Sequence, residues 1–162
     1  MKIMTEVSIN KQARLSEHFT LAEMCKTSAK TQDGNIPSHV HIENLKRLCG
    51  WLEMLRSEWN KRYGEGDDPI VINSGYRSEA VNKAVGGVKG SNHLTGCAAD
   101  IRVAGIEQLV RYATILLDIS DESQEDFDEL LLERSPKGGY WLHFAVRPPS
   151  QENRRKIRFI QT

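Results

Sequence analysis

The residues best suited to chemistry lie in the stretch 91–100, where His93 and Asp100 stand seven residues apart. An imidazole and a carboxylate are ligands that zinc and similar divalent metals accept. Gly96 lies between them and can take a backbone conformation that other residues resist, which would turn a loop carrying His93 into a strand carrying Asp100. Small or apolar side chains occupy every second position of 97–103, so Asp100 is predicted to point away from the core, towards a site.

A second alternating run, residues 141–146, supplies the natural third ligand, His143. Leu142 and Phe144 would face the core, and His143 would face the opposite side. Two imidazoles and one carboxylate form a three-ligand zinc set, and a catalytic site keeps the fourth position open for water. Bound zinc would lower the pKa of that water towards ~7 and polarise a carbonyl oxygen, as amide hydrolysis requires.

Amide hydrolysis also needs a carboxylate that accepts and returns a proton, and it gains from a cation that holds negative charge. Arg77 is the candidate cation, because Gly75 suits a bend that leaves Arg77 exposed at the end of a strand over 70–73. A guanidinium can hold a carboxylate or an oxyanion in bidentate geometry. Only a short excursion of chain separates Arg77 from His93, so we expect the two side chains to share a cleft.

Length and composition indicate one domain, residues 1–162, with 1–17 and 147–162 as peripheral extensions. The chain carries 22 basic and 22 acidic side chains, and this zero net charge argues against nucleic acid as a partner. Its three cysteines lack the spacing of a thiolate metal site or a disulfide framework. Neither a signal-peptide pattern nor a run of about 18 apolar residues is present, so we expect synthesis in the cytoplasm and no membrane insertion.

The polarity pattern predicts helices and short strands that follow one another along the chain. Residues 120–128 are expected to form an acidic surface loop, and the tail ends in a basic run at 154–158. A capping box at Thr20 and Glu23 marks the first helix. Helices are predicted over 19–24, 38–63, 78–85 and 106–117, and strands over 70–73, 97–103, 129–133 and 140–146.

Several motifs surround the candidate ligands: Ser74-Gly-Tyr-Arg-Ser78, Asn82, Val85-Gly-Gly87, Ser91-x-His-x-x-Gly-x-Ala-x-Asp100 and Trp141-Leu-His143. Together they resemble the zinc peptidases of the M15 group, which includes bacterial D-Ala-D-Ala dipeptidases and carboxypeptidases and phage L-alanyl-D-glutamate endopeptidases. The likeness spans residues 18–146. It implies a small α+β fold of the Hedgehog/DD-peptidase type, in which a small antiparallel sheet packs against helices.

The resemblance also implies one zinc ion per chain, held by His93, Asp100 and His143. Arg77 would match the family arginine that orients the substrate near the scissile bond, and Ser91 would match a substrate-contacting position.

Two aromatic residues have alternative interpretations. Tyr76 would either contact the substrate or cover the core. Trp141 would either line the pocket or pack along the strand.

The sequence departs from the family pattern at the catalytic carboxylate. Many members place an Asp or Glu three residues before the last histidine, where this chain has Tyr140. The nearest carboxylate is Glu133, at the end of the preceding strand, which resembles the metal-adjacent glutamate of Hedgehog-type domains. We therefore assign Glu133 as general base, the alternative being a structural ion pair with Arg134 or another cation. The phenol of Tyr140 could assist by hydrogen bonding.

The resemblance implies a zinc-dependent peptidase that hydrolyses peptidoglycan stem peptides containing D-amino acids. Both a carboxypeptidase and an endolysin-like endopeptidase are compatible with it. We expect a monomer that acts on the cell wall after release, as a phage lysin or a virion-associated enzyme, the alternative being a host cytoplasmic enzyme that acts on imported peptides. The alternative is a catalytically inactive wall-binding or structural module of the same fold, which the missing carboxylate at Tyr140 would allow.

Overall fold

The computed structural model describes residues 10–162, so most of the polar segment predicted over 1–17 lies outside the described residues. The described chain forms an α+β fold, as the family resemblance implies. In chain order its elements are α1 (Leu21–Met24), α2 (His39–Arg62), β1 (Ile72–Ser74), α3 (Glu79–Ala84), a 3₁₀ turn (Asn92–Thr95), β2 (Ala98–Arg102), α4 (Ile106–Ser123), β3 (Glu129–Arg134), β4 (Tyr140–Ala145) and β5 (Lys156–Gln161).

The helices begin where the sequence signals predicted. Thr20 caps α1, and the Glu23 side chain accepts from the Thr20 backbone N–H, which completes the capping box. Ser38 caps α2, whose apolar side chains recur at three- and four-residue steps and are buried. Neither α2 nor α4 carries the apolar run that crossing a bilayer would require, and no other helix among residues 10–162 does either.

A five-stranded sheet in the order β1-β2-β4-β3-β5 forms the other half of the fold. The pairs β1–β2, β2–β4 and β4–β3 are antiparallel, as expected, whereas β3–β5 is parallel. Helices α2 and α4 contact each other and pack against the sheet. The core between them includes Leu48, Leu52, Leu116 and Phe144, all fully buried.

Alternation along the central strands separates the core from the site. Ala99 and Ile101 of β2 and Leu142 of β4 lie in the hydrophobic core, so the predicted orientation is confirmed. Asp100 and His143 therefore share the opposite face, where they are direct partners in the β2–β4 pairing. The two central strands of the sheet thus deliver two candidate ligands side by side.

Two expectations about the C-terminal part of the chain need correction. The tail 147–162 was expected to be peripheral, yet residues 156–161 form β5 and pair with β3 along its whole length. The basic run at 154–158 obscures this strand in the sequence, and the apolar side chains of the strand lie outside the core, with Phe159 78% exposed. The acidic surface loop predicted over 120–128 is also only partly correct, because α4 continues to Ser123 and Asp128 is fully buried.

Candidate metal centre

His93 reaches the site from the 3₁₀ turn, whose short, tightly wound backbone is stabilised at both ends. Ser91 caps the turn and accepts a hydrogen bond from the His93 backbone N–H at 3.2 Å. Gly96 ends the turn with φ +74°, and a Cβ there would lie 2.6 Å from the carbonyl oxygen of His41 in α2. Glycine is therefore required by its backbone conformation, as the sequence predicted, and also by close packing against α2.

The structure brings His93, Asp100 and His143 together. One ligand atom from each residue lies within 4.8 Å of the others. Oδ1 of Asp100 is 3.3 Å from Nε2 of His93 and 3.0 Å from Nδ1 of His143. Donors around a tetrahedral zinc ion at ~2.1 Å would stand about 3.4 Å apart. The two distances from Oδ1 of Asp100 therefore suit ligands of one metal ion.

The hydrogen bonds of His93 leave one nitrogen free to bind a metal. Nδ1 of His93 lies 2.6 Å from the carbonyl oxygen of Gly75, which only an N–H can satisfy. Nε2 is then unprotonated in the neutral ring and faces Asp100. A carbonyl that fixes the tautomer of a histidine in this way is typical of metal-ligating imidazoles.

Close contact between the ligands shifts their proton affinities. Burial alone would raise the pKa of Asp100, but the adjacent imidazoles of His143 and His93 hold it well below its usual range. Burial alone would lower the pKa of His143, but Asp100 and Glu129 raise it to about 9. Without a metal, the site therefore holds a carboxylate beside an imidazolium, and a divalent cation would take the place of the proton.

Arg77 lies in the same cleft, as expected, but its side chain is engaged. Nη2 of Arg77 is 3.1 Å from Oδ2 of Asp100, and Nε donates to the Ser74 hydroxyl at 3.0 Å. Its backbone N–H donates to the carbonyl oxygen of His93 at 3.0 Å. Arg77 thus supports two of the three candidate ligands and leaves Oδ1 of Asp100 facing the histidines. Whether it also orients a substrate remains a prediction.

Two glutamates of β3 share the face of His143. Glu129, Leu131 and Glu133 point to this side of the sheet, and Leu131 is the direct partner of His143 in the β3–β4 pairing. The two carboxylates therefore lie on either side of the histidine, at diagonal positions. Burial raises the pKa of Glu133, His143 opposes that rise and the charge of Asp100 adds to it. A carboxyl group with raised proton affinity is suited to proton transfer.

Glu129 is the site residue that sequence reasoning missed. Its Oε1 lies 3.1 Å from Nε2 of His143 and accepts a hydrogen bond from the Asn92 amide at 2.6 Å. These bonds to His143 and Asn92 lower the pKa of Glu129, with burial opposing them. The period-two spacing of Glu129 and Glu133 was the signal that could have identified it, since both must lie on the same face of one strand.

A cleft of about 660 Å³ surrounds these groups. Ser91 and Trp141 line it, so both stand where substrate contact was predicted. Tyr76 does not line it: its side chain is 5% exposed and stacks on the His41 ring with 4.9 Å between centroids. The placement of Tyr76 matches the interpretation in which it covers the core. Lys156 and Ile160 of β5 complete one wall of the cleft.

Comparison with known proteins gives two similarities. A family model described as Peptidase M15 matches residues 17–119, which include His93 and Asp100. The chain is also similar to the zinc D-Ala-D-Ala carboxypeptidase of Streptomyces albus G, with 31% identity over 84 residues. That alignment covers 52% of this chain and 31% of the carboxypeptidase, so the chain matches about a third of the relative's length.

Proposed function

The chain belongs to the peptidase M15 family, and we propose that it is a zinc-dependent peptidase that hydrolyses peptidoglycan stem peptides containing D-amino acids. The convergence of His93, Asp100 and His143 in an open cleft is the observation that carries this proposal. The name of the similar carboxypeptidase supports both the metal and the substrate class.

Zinc is the metal that best suits the donor set of two imidazoles and one carboxylate. When bound, zinc supplies a Lewis acid that polarises the scissile carbonyl and lowers the pKa of water towards ~7. His93 would bind through Nε2 and His143 through Nδ1, because these nitrogens face Oδ1 of Asp100.

The proton transfers fall to Glu133 in this proposal. Glu133 would take a proton from the attacking water and deliver it to the nitrogen of the leaving amine. Its position supports this role, because it lines the cleft beside Trp141 and shares the face of His143. Its raised pKa supports the role as well, since a base that must give its proton back needs moderate proton affinity.

The remaining residues of the cleft would bind and orient the peptide. Arg77 holds Asp100 in place and lies close enough to the cleft to hold a developing oxyanion. Ser91 and Trp141 line the cleft and would contact the peptide on either side of the scissile bond.

One observation favours a second candidate function. Tyr140 occupies the position three residues before His143, where many relatives have a catalytic Asp or Glu. If Glu133 does not supply the base, the chain would be an inactive wall-binding or structural module that retains the metal.

Incubation of the protein with purified stem peptides, followed by mass analysis of the products, tests the proposal. A carboxypeptidase would release a terminal D-amino acid, and an endopeptidase would yield two peptide fragments. Metal analysis of the same preparation should find about one zinc per chain. Bound zinc without any cleavage, together with retained binding to peptidoglycan, would favour the inactive module.

A further inference from the structure

We infer that Glu129 is a positioning residue that fixes the tautomer and the ring orientation of His143, so that Nδ1 of this histidine is presented to the metal. The inference deepens the proposed function and rests on it, because it concerns the support of the same metal centre.

Each nitrogen of the His143 ring faces a different carboxylate. Nδ1 is 3.0 Å from Oδ1 of Asp100, and Nε2 is 3.1 Å from Oε1 of Glu129. A metal bound by His93 and Asp100 can be reached only by the nitrogen on the Asp100 side. The other nitrogen must then carry the hydrogen, which it donates to Glu129. A carboxylate that accepts from a ligating histidine fixes its tautomer and raises its basicity.

Glu129 is itself held in place by a buried amide. The side-chain nitrogen of Asn92 donates to Oε1 of Glu129 at 2.6 Å and to Oδ2 of Asp128 at 2.7 Å. Two carboxylates leave no doubt about which end of the Asn92 amide faces them, since only its NH₂ group can donate. Asn92 precedes His93 in the 3₁₀ turn. One short segment therefore supplies both a candidate ligand, His93, and the amide that holds Glu129 beside His143.

Asp128 anchors this network inside the protein. Its side chain is fully buried, and Arg154 donates to it through Nε at 2.9 Å and through Nη2 at 2.7 Å. The backbone N–H of Arg154 donates to the same carboxylate at 3.0 Å. Arg154 lies in the segment that leads into β5, so the chain just before this strand supplies the cation that holds Asp128. A chain of bonds from Arg154 through Asp128, Asn92 and Glu129 thus ends at His143.

Glu133 provides an internal comparison. It carries the same charge on the same face of β3, at the opposite diagonal of His143. Charge near the metal is therefore common to both glutamates, whereas the hydrogen bond to Nε2 belongs to Glu129. The two residues divide the work, with Glu129 orienting a ligand and Glu133 left free for the substrate.

Zinc affinity, measured by competition with a chromophoric chelator, tests this division on the full chain. Glu129→Ala should lower zinc affinity by about 10- to 100-fold. Glu129→Gln keeps an oxygen that can accept from His143 and should recover most of that loss. Glu133→Gln removes one negative charge from the same face of β3, as Glu129→Gln does. It should lower zinc affinity no more than Glu129→Gln. The inference would be overturned if Glu129→Ala bound zinc as tightly as wild type. It would also be overturned if Glu133→Gln lost as much zinc affinity as Glu129→Ala.

Nitrogen-15 NMR of the zinc-loaded protein gives a second readout that does not depend on activity. The His143 ring should show a metal-bound Nδ1 and a slowly exchanging hydrogen on Nε2, and Glu129→Gln should preserve both signals. Zinc bound through Nε2 of His143 would refute the inference even if all variants fold. A wild-type protein that binds no zinc would instead refute the proposed function, so the two failures are distinguishable.

Discussion

Asp100 and His143 are direct partners across two central strands, with Oδ1 of Asp100 3.0 Å from Nδ1 of His143. The same carboxylate oxygen is 3.3 Å from Nε2 of His93, and the other oxygen binds Arg77. Asp100 therefore contacts both candidate histidine ligands and Arg77. Its position follows from strand register, because a shift by one residue would turn this side chain into the core.

Replacement of His93 should remove the metal. His93→Ala deletes one of three ligands from a site with no spare donor of the same kind, so zinc content should fall from about one per chain to nearly none. Elemental analysis after gel filtration measures this. His39→Ala is the matched control, because His39 is exposed in the first turn of α2. Equal zinc content in His93→Ala and wild type would place the metal elsewhere.

Replacement of Glu133 should separate turnover from metal binding. Glu133→Gln keeps the shape of the side chain but cannot accept a proton, so kcat should fall by about 10²- to 10⁴-fold while zinc stays bound. Release of amino groups from peptidoglycan, measured alongside zinc content, checks both parts. Glu125→Gln, an exposed residue just before β3, should behave like wild type.

The same variant carries a stability signature. Burial raises the pKa of Glu133, so the folded state favours its neutral form and its charge opposes folding near pH 7. Metal-free Glu133→Gln should therefore be at least as stable as the metal-free wild type at that pH, by denaturant unfolding.

Undiminished turnover in Glu133→Gln would move the general base to another group.

Replacement of Arg77 should affect the metal as well as the substrate. Arg77→Ala removes the partner of Oδ2 of Asp100, and such supporting contacts are typically worth about 10-fold or more in metal affinity. If Arg77 also orients the peptide, kcat/KM should fall even at saturating zinc, where weaker metal binding no longer contributes. Arg102→Ala, two residues beyond Asp100 on β2, should keep wild-type zinc affinity. A wild-type kcat/KM in Arg77→Ala would exclude the substrate role, and an unchanged zinc affinity would exclude the supporting role.

Asp128 should make stability depend on pH in the acid range. Burial alone would raise its pKa, but hydrogen bonds from Arg154 and Asn92 lower it to about 2, from an ordinary value of 3.8. Its charge therefore stabilises the fold above about pH 4, and this contribution is lost as the pH falls towards 2. Asp128→Asn should be less stable than wild type at pH 7 by roughly 2 kcal/mol, and the difference should shrink below pH 4.

Denaturant unfolding of metal-free protein across this range measures the effect of Asp128. The ligand residues titrate in both proteins, so only the difference between them reports on position 128. Asp67→Asn changes an exposed carboxylate and serves as the control. A difference that stays constant from pH 7 to pH 2 would mean that the charge of Asp128 does not stabilise the fold.

Gly75 should be required for the orientation of His93. A Cβ at this position would lie 2.3 Å from the carbonyl oxygen of Met24, so Gly75→Ala must displace the segment whose carbonyl accepts from Nδ1 of His93. We expect a loss of about 1–3 kcal/mol in stability and weaker zinc binding. Thermal unfolding and zinc titration check this. Gly50→Ala, in α2 with open space around it, should be neutral or stabilising.

The sequence by itself determined the local elements and identified the candidate ligands. Capping residues and apolar periodicity placed α1, α2 and α4, because these signals act within a few residues of one another. Alternation in β2 and β4 predicted that Asp100 and His143 would leave the core, and this holds without knowledge of what the strands pair with.

Only the tertiary structure decided which groups meet. The β2–β4 register sets Asp100 beside His143, and the parallel docking of β5 brings Arg154 to a buried Asp128. The distinct surroundings of Glu129 and Glu133 likewise depend on strands that are distant in the chain. Pairing between such strands is selected by the burial of the whole core and by the hydrogen bonds of the sheet, and a local pattern carries no information about either.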